Sequence, residues 1–373
     1  MKNILVFGMT ENPGGVESFI ISYYRKMNHK KIHFDFLANT KNQIAYENEL
    51  SKMGSKVFHI HSRSRHPIKY YKELNSFFRK YAQNYQCIWL NLNSLANTDY
   101  LKLAKKYNIP RRIIHSHNSQ NMDGRFRGYL HKINKKQIQY YATDYWACSV
   151  KAANWFYDDN LMSKVKIIKN AIDLTRVKFD LNKRRKIRQA YNITNSFVIG
   201  NIGRLHFQKN QVFILKIFKE LLVKIPNAKL IFVGQGPDRD KLEKLAIEFN
   251  INDKVIFAGV QTDISKWLSS FDLFIFPSLF EGLPIAGLEA QANGVPILAS
   301  DNIIPDDAII NDNLYFLNLK NSPDVWANEI LKLKKTLYRI GDIDVIKNFN
   351  NSGYNIDYAA RKLETKLLEK YYE

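Results

Sequence analysis

Short apolar runs recur along the first half of the chain, and longer stretches with helical spacing separate them. The runs predict strands at Ile4–Phe7, Ile32–Leu37, Lys56–Ile60, Cys87–Leu92, Arg112–His115, Asp144–Ala147 and Val165–Ile168. Helices are predicted between them, for example at Ile44–Met53, Tyr70–Tyr81, Tyr100–Tyr107 and Tyr129–Tyr141. Because strands alternate with helices, the pattern indicates a parallel sheet covered by helices on both faces.

The same alternation restarts at Phe197 after a Lys/Arg-rich stretch, Lys178–Tyr191, which predicts a connector with a short exposed helix. Further strands are predicted at Lys229–Val233, Lys254–Phe257, Asp272–Phe276, Val295–Ala299 and Tyr315–Leu317. The helices between them are predicted at Val212–Leu222, Asp240–Phe249, Asp263–Ser269 and Ile285–Asn293. We therefore expect two doubly wound α/β domains, residues 1–175 and 176–354, followed by a helix at Asp357–Tyr372.

One stretch of the second domain combines a strand, a bend and a helix start. Pro277 ends the strand, Gly282 permits a tight bend, and Pro284 fits the first turn of a helix that Gly294 stops. Free N–H groups and the helix dipole make such a junction an anion site. With the carboxylates of Glu281 and Glu289 beside it, the junction suits a ligand with both phosphates and hydroxyls. The alternative is an ordinary strand-loop-helix with two solvated glutamates.

A second loop, after the strand at Phe197–Ile202, carries two cations. Gly203 and Arg204 begin this loop, and Lys209 lies five residues later, ahead of a helix near Gln211. Arginine grips phosphate through two parallel hydrogen bonds, and lysine acts as a point charge. We expect both cations to face solvent and to suit a phosphate group, against the alternative of two solvated loop residues.

Glycines also follow other predicted strands, where they let backbone N–H groups approach a ligand. Gly14 and Gly15 lie between the first strand and its helix, and by themselves they are equally consistent with a plain turn. Gly234 and Gly236 suit a flat loop under a nucleobase.

Two histidines, His115 and His117, end the fifth predicted strand and share one of its faces. Such a pair suits a zinc site, but no third ligand is apparent in the sequence, and a purely structural pair is the other alternative. Asp342 and Asp344 match an Asp-x-Asp metal motif superficially, but we place them in a late loop and interpret the match as incidental. No metal is therefore expected.

The charge of the chain is unevenly distributed. Of its net charge of +21, residues 1–180 carry +17, with 30 Lys and Arg against 13 Asp and Glu. Two basic, aromatic helices are predicted at His66–Gln83 and Arg125–Tyr141, which suit an anionic membrane surface unless their aromatic residues pack into the core.

The first apolar run lacks a signal-peptide cleavage site, and no run approaches the length of a membrane span. Cys87 and Cys148 form no metal or redox motif. We expect a cytosolic protein with both cysteines reduced.

The Glu281–Glu289 stretch resembles the Glu-x7-Glu motif of the family 4 retaining glycosyltransferases, which have the GT-B fold. The Gly203–Asn210 segment is similar to the family's Gly-Arg-…-Gln-Lys-Asn segment, and Val233–Pro237 to its Val-Gly-x-Gly-Pro. This resemblance implies two Rossmann-like domains that face each other across a cleft. It further implies that residues 1–175 form the acceptor side, that 176–354 bind the nucleotide sugar, and that the helix at 355–373 packs back on the first domain.

The resemblance also implies roles for individual residues. His117, with His115 as second choice, would lie near the transferred sugar, and Glu281 would contact that sugar. Arg204 and Lys209 would neutralise the donor diphosphate. The other donor contacts would be Gly14, Gly15, Gly203, Gly234, Gly236, Val260, Gly282, Leu283, Pro284 and Glu289, with Glu289 on the ribose.

The most similar members are glycosyltransferases of capsular and exopolysaccharide synthesis. They imply a retaining, metal-independent hexosyltransferase without a cofactor, which uses a UDP-sugar as donor. The acceptor would be a polyprenyl-diphosphate-linked glycan, and the enzyme would be associated peripherally with the inner face of the cell membrane. A GT-B epimerase acting on free UDP-sugars is one alternative. The other is a basic nucleic-acid-binding protein, although no nucleic-acid-binding motif is present and we expect no such partner.

Overall fold

The computed structural model describes residues 1–118, 124–281 and 285–369. The chain divides into two compact units, which we call unit 1 (Met1–Ala171 with Ile356–Glu373) and unit 2 (Ile172–Asn355). Each unit contains a parallel sheet with helices on it, so the two α/β domains predicted from the sequence are confirmed.

Among its described residues, unit 1 contains seven strands. They are β1 (Lys2–Phe7), β2 (Ile32–Ala38), β3 (Val57–His59), β4 (Cys87–Leu92), β5 (Arg111–Ser116), β6 (Asp144–Ala147) and β7 (Val165–Ile167). Its helices are α1 (Gly15–Lys26), α2 (Glu47–Lys52), α3 (Pro67–Tyr81), α4 (Asp99–Lys106), α5 (Arg125–Gln137), α6 (Val150–Phe156) and α7 (Asp159–Met162).

The described part of unit 2 contains six strands. They are β8 (Phe197–Ile202), β9 (Ala228–Val233), β10 (Val255–Phe257), β11 (Leu273–Phe276), β12 (Ile297–Ser300) and β13 (Leu314–Leu317). Its helices are α8 (Leu174–Val177), α9 (Leu181–Ala190), α10 (Gln211–Lys224), α11 (Arg239–Glu248), α12 (Ile264–Ser270), α13 (Ile285–Ala292), α14 (Pro323–Leu333) and α15 (Asp342–Ser352). The last helix of the chain, α16 (Ile356–Leu368), belongs to unit 1.

The order of the strands locates the point in each sheet where a ligand is expected. The order is β3-β2-β1-β4-β5-β6-β7 in unit 1 and β10-β9-β8-β11-β12-β13 in unit 2, and every described strand pair is parallel. The chain reverses its direction of winding between β1 and β4, and again between β8 and β11. In open parallel sheets, ligands bind beside the carboxyl ends of the strands at such a switch point.

Two local sequence predictions need correction. Asp342 and Asp344 do not lie in a loop, because they form the first turn of α15, where acidic side chains favour the helix dipole. Helix α9 is not simply an exposed connector. Its Arg184 and Arg188 donate to the two carboxylate oxygens of Asp272 at 2.6 and 2.5 Å, which fixes α9 beside the start of β11.

Helix α16 completes the core of unit 1 although it follows unit 2 in the chain. Its buried face, Ala360, Leu363 and Leu367, packs in the same hydrophobic cluster as the buried residues of α1 and β1. The Arg111 guanidinium of β5 donates to the Lys366 carbonyl at 2.7 Å and so satisfies part of the end of α16.

We predict that Leu367→Ala destabilises unit 1 selectively. Removing this fully buried side chain leaves a cavity, which costs about 2–5 kcal/mol. Hydrogen exchange measured by mass spectrometry is expected to show lost protection in β1, β4 and α1, with β8 and β11 unchanged. Tyr358→Ala is the matched control, because Tyr358 lies on the same helix and is 63% exposed. Equal loss of protection in both units would contradict the assignment of α16 to unit 1.

Candidate functional site

The loops at the carboxyl ends of β8, β9 and β10 are joined by their backbones. The Gly203 N–H donates to the Val233 carbonyl at 2.9 Å, and the Gly234 N–H donates to the Gly259 carbonyl at 2.8 Å. Gly234 has a φ of +135°, and a Cβ there would lie 2.0 Å from the Gly203 carbonyl oxygen. Only glycine fits this position, so Gly234 allows the loops after β8 and β9 to pack closely.

Gly236 packs against the same loop after β8, at Leu205. A Cβ at Gly236 would lie 2.2 Å from the Leu205 carbonyl oxygen, and the Leu205 N–H donates to the Gln235 carbonyl at 3.1 Å. Val260 follows β10 with an exposed side chain. The loop glycines thus form a rigid backbone surface at the end of the sheet, and their contact with a nucleobase remains a prediction.

Lys209 and Glu281, which the sequence separates by 72 residues, form an ion pair at this edge. The Lys209 Nζ lies 2.5 Å from Glu281 Oε1, and their side chains are only 14% and 7% exposed. The aliphatic stem of Lys209 passes close to Gly203, where a Cβ would lie 3.1 Å from Lys209 Cε. The Lys209 ammonium also lies 5.2 Å from the centre of the Phe276 ring. The expectation that Lys209 faces solvent is therefore wrong, because it is held between β8 and β11.

Gln208 is a site residue that the sequence analysis missed. Its side-chain Nε2 donates to the Phe280 carbonyl at 2.9 Å and lies 3.3 Å from Glu281 Oε2. Its backbone carbonyl accepts from the Leu279 N–H at 2.8 Å. Gln208 therefore joins the Lys209 loop to the Glu281 loop. Its place directly before Lys209 was the available signal, but nothing in the sequence tells which way an amide side chain points.

Arg204 differs from Lys209 in its exposure. Its side chain is exposed to solvent, as expected, while its carbonyl accepts from the buried Gln211 Nε2 at 3.1 Å. The backbone of this loop is thus fixed while the guanidinium extends into solvent.

Glu289 lies in the second turn of α13 and is half-buried. Burial raises the pKa of its carboxyl to about 7, and the positive charge of Arg176 opposes that rise. The predicted anion site at Gly282, Leu283 and Pro284 lies outside the described residues. Glu289 is thus close to half-ionised near neutral pH and is able to donate or accept a hydrogen bond.

Gly14 and Gly15 lie in unit 1, where Gly14 precedes the first turn of α1 with an extended backbone. The sequence analysis did not identify the buried Glu17, whose Oε1 accepts from the Thr10 N–H at 3.0 Å and from the Thr10 hydroxyl at 2.6 Å. A Cβ at Gly14 would lie 2.8 Å from Glu17 Oε2. Burial raises the pKa of Glu17, and hydrogen bonds from this loop oppose the rise. An internal carboxylate therefore shapes the glycine loop, and the loop's contact with donor remains a prediction.

His115 and His117 lie at the end of β5 with their ring centres 4.1 Å apart. His115 is fully buried against Trp89 and Trp146, whereas His117 is partly exposed. Burial lowers the pKa of His117 to about 3 and that of His115 well below its ordinary value. Both rings are therefore neutral at physiological pH. Within the described ranges, no group of three His, Cys, Asp or Glu side chains is arranged to hold a metal ion.

We predict that Glu289 makes the stability of the protein depend on pH. Its folded pKa of about 7 lies above the ordinary value of 4.5, so its contribution is complete below about pH 4.5 and is lost as the pH rises through 7. Glu289→Gln is therefore expected to gain stability relative to wild type between pH 5 and pH 8, measured by urea denaturation. The exposed Glu248→Gln is the control and is expected to follow the wild-type curve. Parallel curves for wild type and Glu289→Gln would contradict the raised pKa.

Comparisons with known proteins agree with this geometry. The family model "Glycosyl transferases group 1" matches residues 183–337, which span the described loops of unit 2. The putative glycosyltransferase EpsF of Bacillus subtilis (strain 168) is 28% identical over 88% of this chain and 90% of its own length. An Escherichia coli UDP-Gal:α-D-GlcNAc-diphosphoundecaprenol α-1,3-galactosyltransferase is 30% identical over 55% of this chain and 54% of its own length.

A solved structure supports the same fold. HepE of Anabaena, in complex with UDP and glucose, superimposes with a TM-score of 0.79 at 17% identity, and the match covers 98% of this chain and 99% of HepE. Taken with the two parallel sheets, these similarities identify the chain as a glycosyltransferase with the GT-B fold, whose residues 183–337 match the group 1 family model.

Proposed function

We propose that this glycosyltransferase moves a hexose or N-acetylhexosamine from a UDP-sugar to a glycan linked to a polyprenyl diphosphate, as a step in cell-surface polysaccharide synthesis. The ion pair between Lys209 and Glu281 carries this proposal. A buried ion pair costs desolvation energy that its attraction often fails to recover, so it is weak evidence for a purely stabilising role. In the donor complex, the diphosphate would replace Glu281 as the partner of Lys209. A sugar hydroxyl would replace Lys209 as the partner of Glu281.

The departing diphosphate is the group that most needs stabilisation in this reaction. Lys209 is held in place by its contacts, while the exposed guanidinium of Arg204 is available to close on phosphate oxygens through two hydrogen bonds. Fixed donors aimed at developing negative charge are each worth about 2.7–4 kcal/mol in the transition state. Two protein cations then perform the task that a divalent metal performs elsewhere, so the reaction proceeds without metal.

The carboxylates of the site suit binding and orientation of the donor. Glu281 contacts both Lys209 and Gln208, which supports its orienting a hexose hydroxyl and argues against its acting as a nucleophile. Glu289 suits the ribose, because a carboxyl with a pKa of about 7 both accepts and donates hydrogen bonds. We therefore propose retention by attack on the same face as the leaving group, with the donor phosphate accepting the acceptor's proton.

The acceptor side of the proposal rests on unit 1 and its positive charge. The similarity to a transferase named for a diphosphoundecaprenol acceptor supports a lipid-linked substrate. Within the described residues, no helix has both the length and the hydropathy needed to cross a membrane. A lipid-linked acceptor lies at the membrane, so a surface of unit 1 that binds lipid headgroups would favour access to it.

Helix α5 offers this surface, whereas α3 does not. Tyr70, Phe77 and Phe78 of α3 are buried in unit 1, so most of its aromatic residues serve the core. On α5, Phe126 and Tyr129 are 72% and 62% exposed. Ile133 and, just beyond the helix, Tyr140 continue the same exposed face at helical spacing. We define the α5 surface by these exposed residues together with Lys132 and Lys136: Phe126, Tyr129, Lys132, Ile133, Lys136 and Tyr140.

An apolar stripe flanked by lysines is typical of helices that lie in the interface of an anionic bilayer. Lys135 is not part of this surface, because its ammonium faces the Asn154 and Trp155 carbonyls. We accordingly propose that the protein associates with the inner face of the cell membrane through the α5 surface.

For the donor site, we predict that Arg204→Ala lowers transfer from the cognate UDP-sugar by about 10²–10³-fold, because one fixed phosphate donor is lost. The cognate donor is first found by thermal shift with a panel of UDP-sugars, and transfer is measured with and without EDTA. Activity is expected to survive EDTA.

The matched control is Lys216→Ala, which removes an exposed cation from α10. Lys209→Ala leaves Glu281 buried without its cation and is expected to destabilise unit 2, so Lys209→Met with Glu281→Gln tests the pair with neutral groups. Wild-type turnover by Arg204→Ala at saturating donor would refute the diphosphate assignment. Conversion of the donor to an epimer without acceptor would instead support epimerisation.

For the membrane, we predict that the protein sediments with phosphatidylglycerol vesicles at low salt and is released at high salt. Each cation near such a surface contributes about 1 kcal/mol, screened by salt. Lys132→Glu with Lys136→Glu is expected to weaken vesicle binding by more than tenfold and to leave UDP-sugar binding unchanged. Phe126→Ser with Tyr129→Ser tests the apolar part of the α5 surface separately.

Arg185→Glu with Lys186→Glu is the matched control for net charge. These two residues are exposed on α9, a basic helix without aromatic residues, so the charge change is the same. Equal loss of vesicle binding in both double variants would mean that net charge, and not the α5 surface, drives association. Equal binding to phosphatidylcholine vesicles would exclude the electrostatic account.

A further inference from the structure

Asn91 lies at the carboxyl end of β4, beside the switch point of unit 1, and only 2% of it is exposed. Its side chain connects two neighbouring strand ends. Asn91 Nδ2 donates to the Phe7 carbonyl of β1 at 3.3 Å, and Asn91 Oδ1 lies 2.9 Å from His117 Nε2 beyond β5. No sequence motif marked this residue.

The backbone around Asn91 is built to hold this arrangement. Gly8 follows β1 with a φ of +127°, and a Cβ there would lie 2.5 Å from the Asn91 carbonyl oxygen and 2.8 Å from Asn91 Cβ. A side chain at position 8 would push β4 away from the end of β1. Gly8 thus permits the close approach that brings the Asn91 amide within reach of both partners.

The two hydrogen bonds of Asn91 determine the proton position on His117. Because the amide nitrogen donates to the Phe7 carbonyl, the amide oxygen is the atom that faces His117. A carbonyl oxygen only accepts, so the proton must be on Nε2 of the imidazole. Since the ring is neutral, Nδ1 then carries a lone pair.

The other neighbours of His117 do not compete for this role. The ring centre of Phe19 in α1 lies 5.0 Å from that of His117, and the ring centre of His115 in β5 lies 4.1 Å away. His115 is the titratable group that faces it, and within the described residues neither His115 nitrogen has a hydrogen-bond partner. Among the described side chains, Asn91 therefore provides the polar contact that orients the imidazole.

We propose that Asn91 is a positioning residue that fixes His117 as the Nε2–H tautomer, so that His117 Nδ1 accepts a hydrogen bond from a hydroxyl of the sugar substrate. The identity of that hydroxyl rests on the proposed function, whereas the tautomer of His117 does not. His117 acts here by orienting a hydroxyl as a neutral acceptor, and Asn91 acts through His117 without touching substrate.

The test compares wild type with Asn91→Leu and Asn91→Asp by two-bond ¹H–¹⁵N correlation spectra of ¹⁵N-histidine-labelled protein. Wild type is expected to show His117 as the Nε2–H tautomer alone. Asn91→Leu removes the acceptor and is expected to introduce the Nδ1–H tautomer, with kcat about tenfold lower and the donor KM within twofold. Asn91→Asp keeps an acceptor oxygen, so it is expected to retain the Nε2–H tautomer at pH 8 and to recover part of the lost kcat.

Two controls separate this role from a general loss of structure. His131 is an internal reference, because its Nδ1 accepts from the Leu95 N–H at 3.0 Å and its tautomer is independent of Asn91. Asn97→Leu removes another partly buried amide of unit 1, which bonds Tyr70, and is expected to leave the His117 spectrum and kcat unchanged.

An unchanged His117 tautomer in Asn91→Leu would overturn the proposal, and so would a changed tautomer with wild-type kcat. If wild type transferred no sugar from any UDP donor, the proposed function would fail. The spectra would still decide whether Asn91 sets the tautomer, so the two failures are distinguishable.

Discussion

Both candidate sites depend on the parallel alignment of the strands, because this alignment carries every strand's carboxyl end to the same edge of its sheet. In unit 2 that edge gathers the loops after β8, β9, β10 and β11, and in unit 1 the ends of β1, β4 and β5. Residues far apart in sequence thereby become neighbours without any long-range motif. The pairs Lys209–Glu281 and Asn91–His117 both arise in this way.

Backbone contact is what makes the unit 2 edge rigid. Gly234 and Gly236 bring their loop against the β8 loop so closely that any side chain would collide with a carbonyl. Lys209 and Glu281 then pair in a largely buried position, and breaking such a pair by removing one partner costs about 3–5 kcal/mol. The side chains are therefore ordered before a ligand arrives, which lowers the entropy that binding must offset.

The sequence predicts the alternation of strands and helices well, because each element has its own local hydrophobic periodicity. It predicts the contacts of side chains less well, because these depend on which neighbour the sheet supplies. Lys209 was expected in solvent and is paired, and the aromatic residues of α3 and α5 look alike in sequence but differ in burial. Asp342 was placed in a late loop, although it begins a helix. Asn91 carries no recognisable pattern at all.

The position of α16 has a consequence for the order in which the protein is made. A ribosome releases residues 1–171 first, and domains generally fold as they emerge. Here the core of unit 1 lacks Ala360, Leu363 and Leu367 until unit 2 has been synthesised, so apolar surface on α1 stays uncovered meanwhile. Unit 2 is continuous in sequence and does not face this delay. The N-terminal unit is thus translated first but completed last.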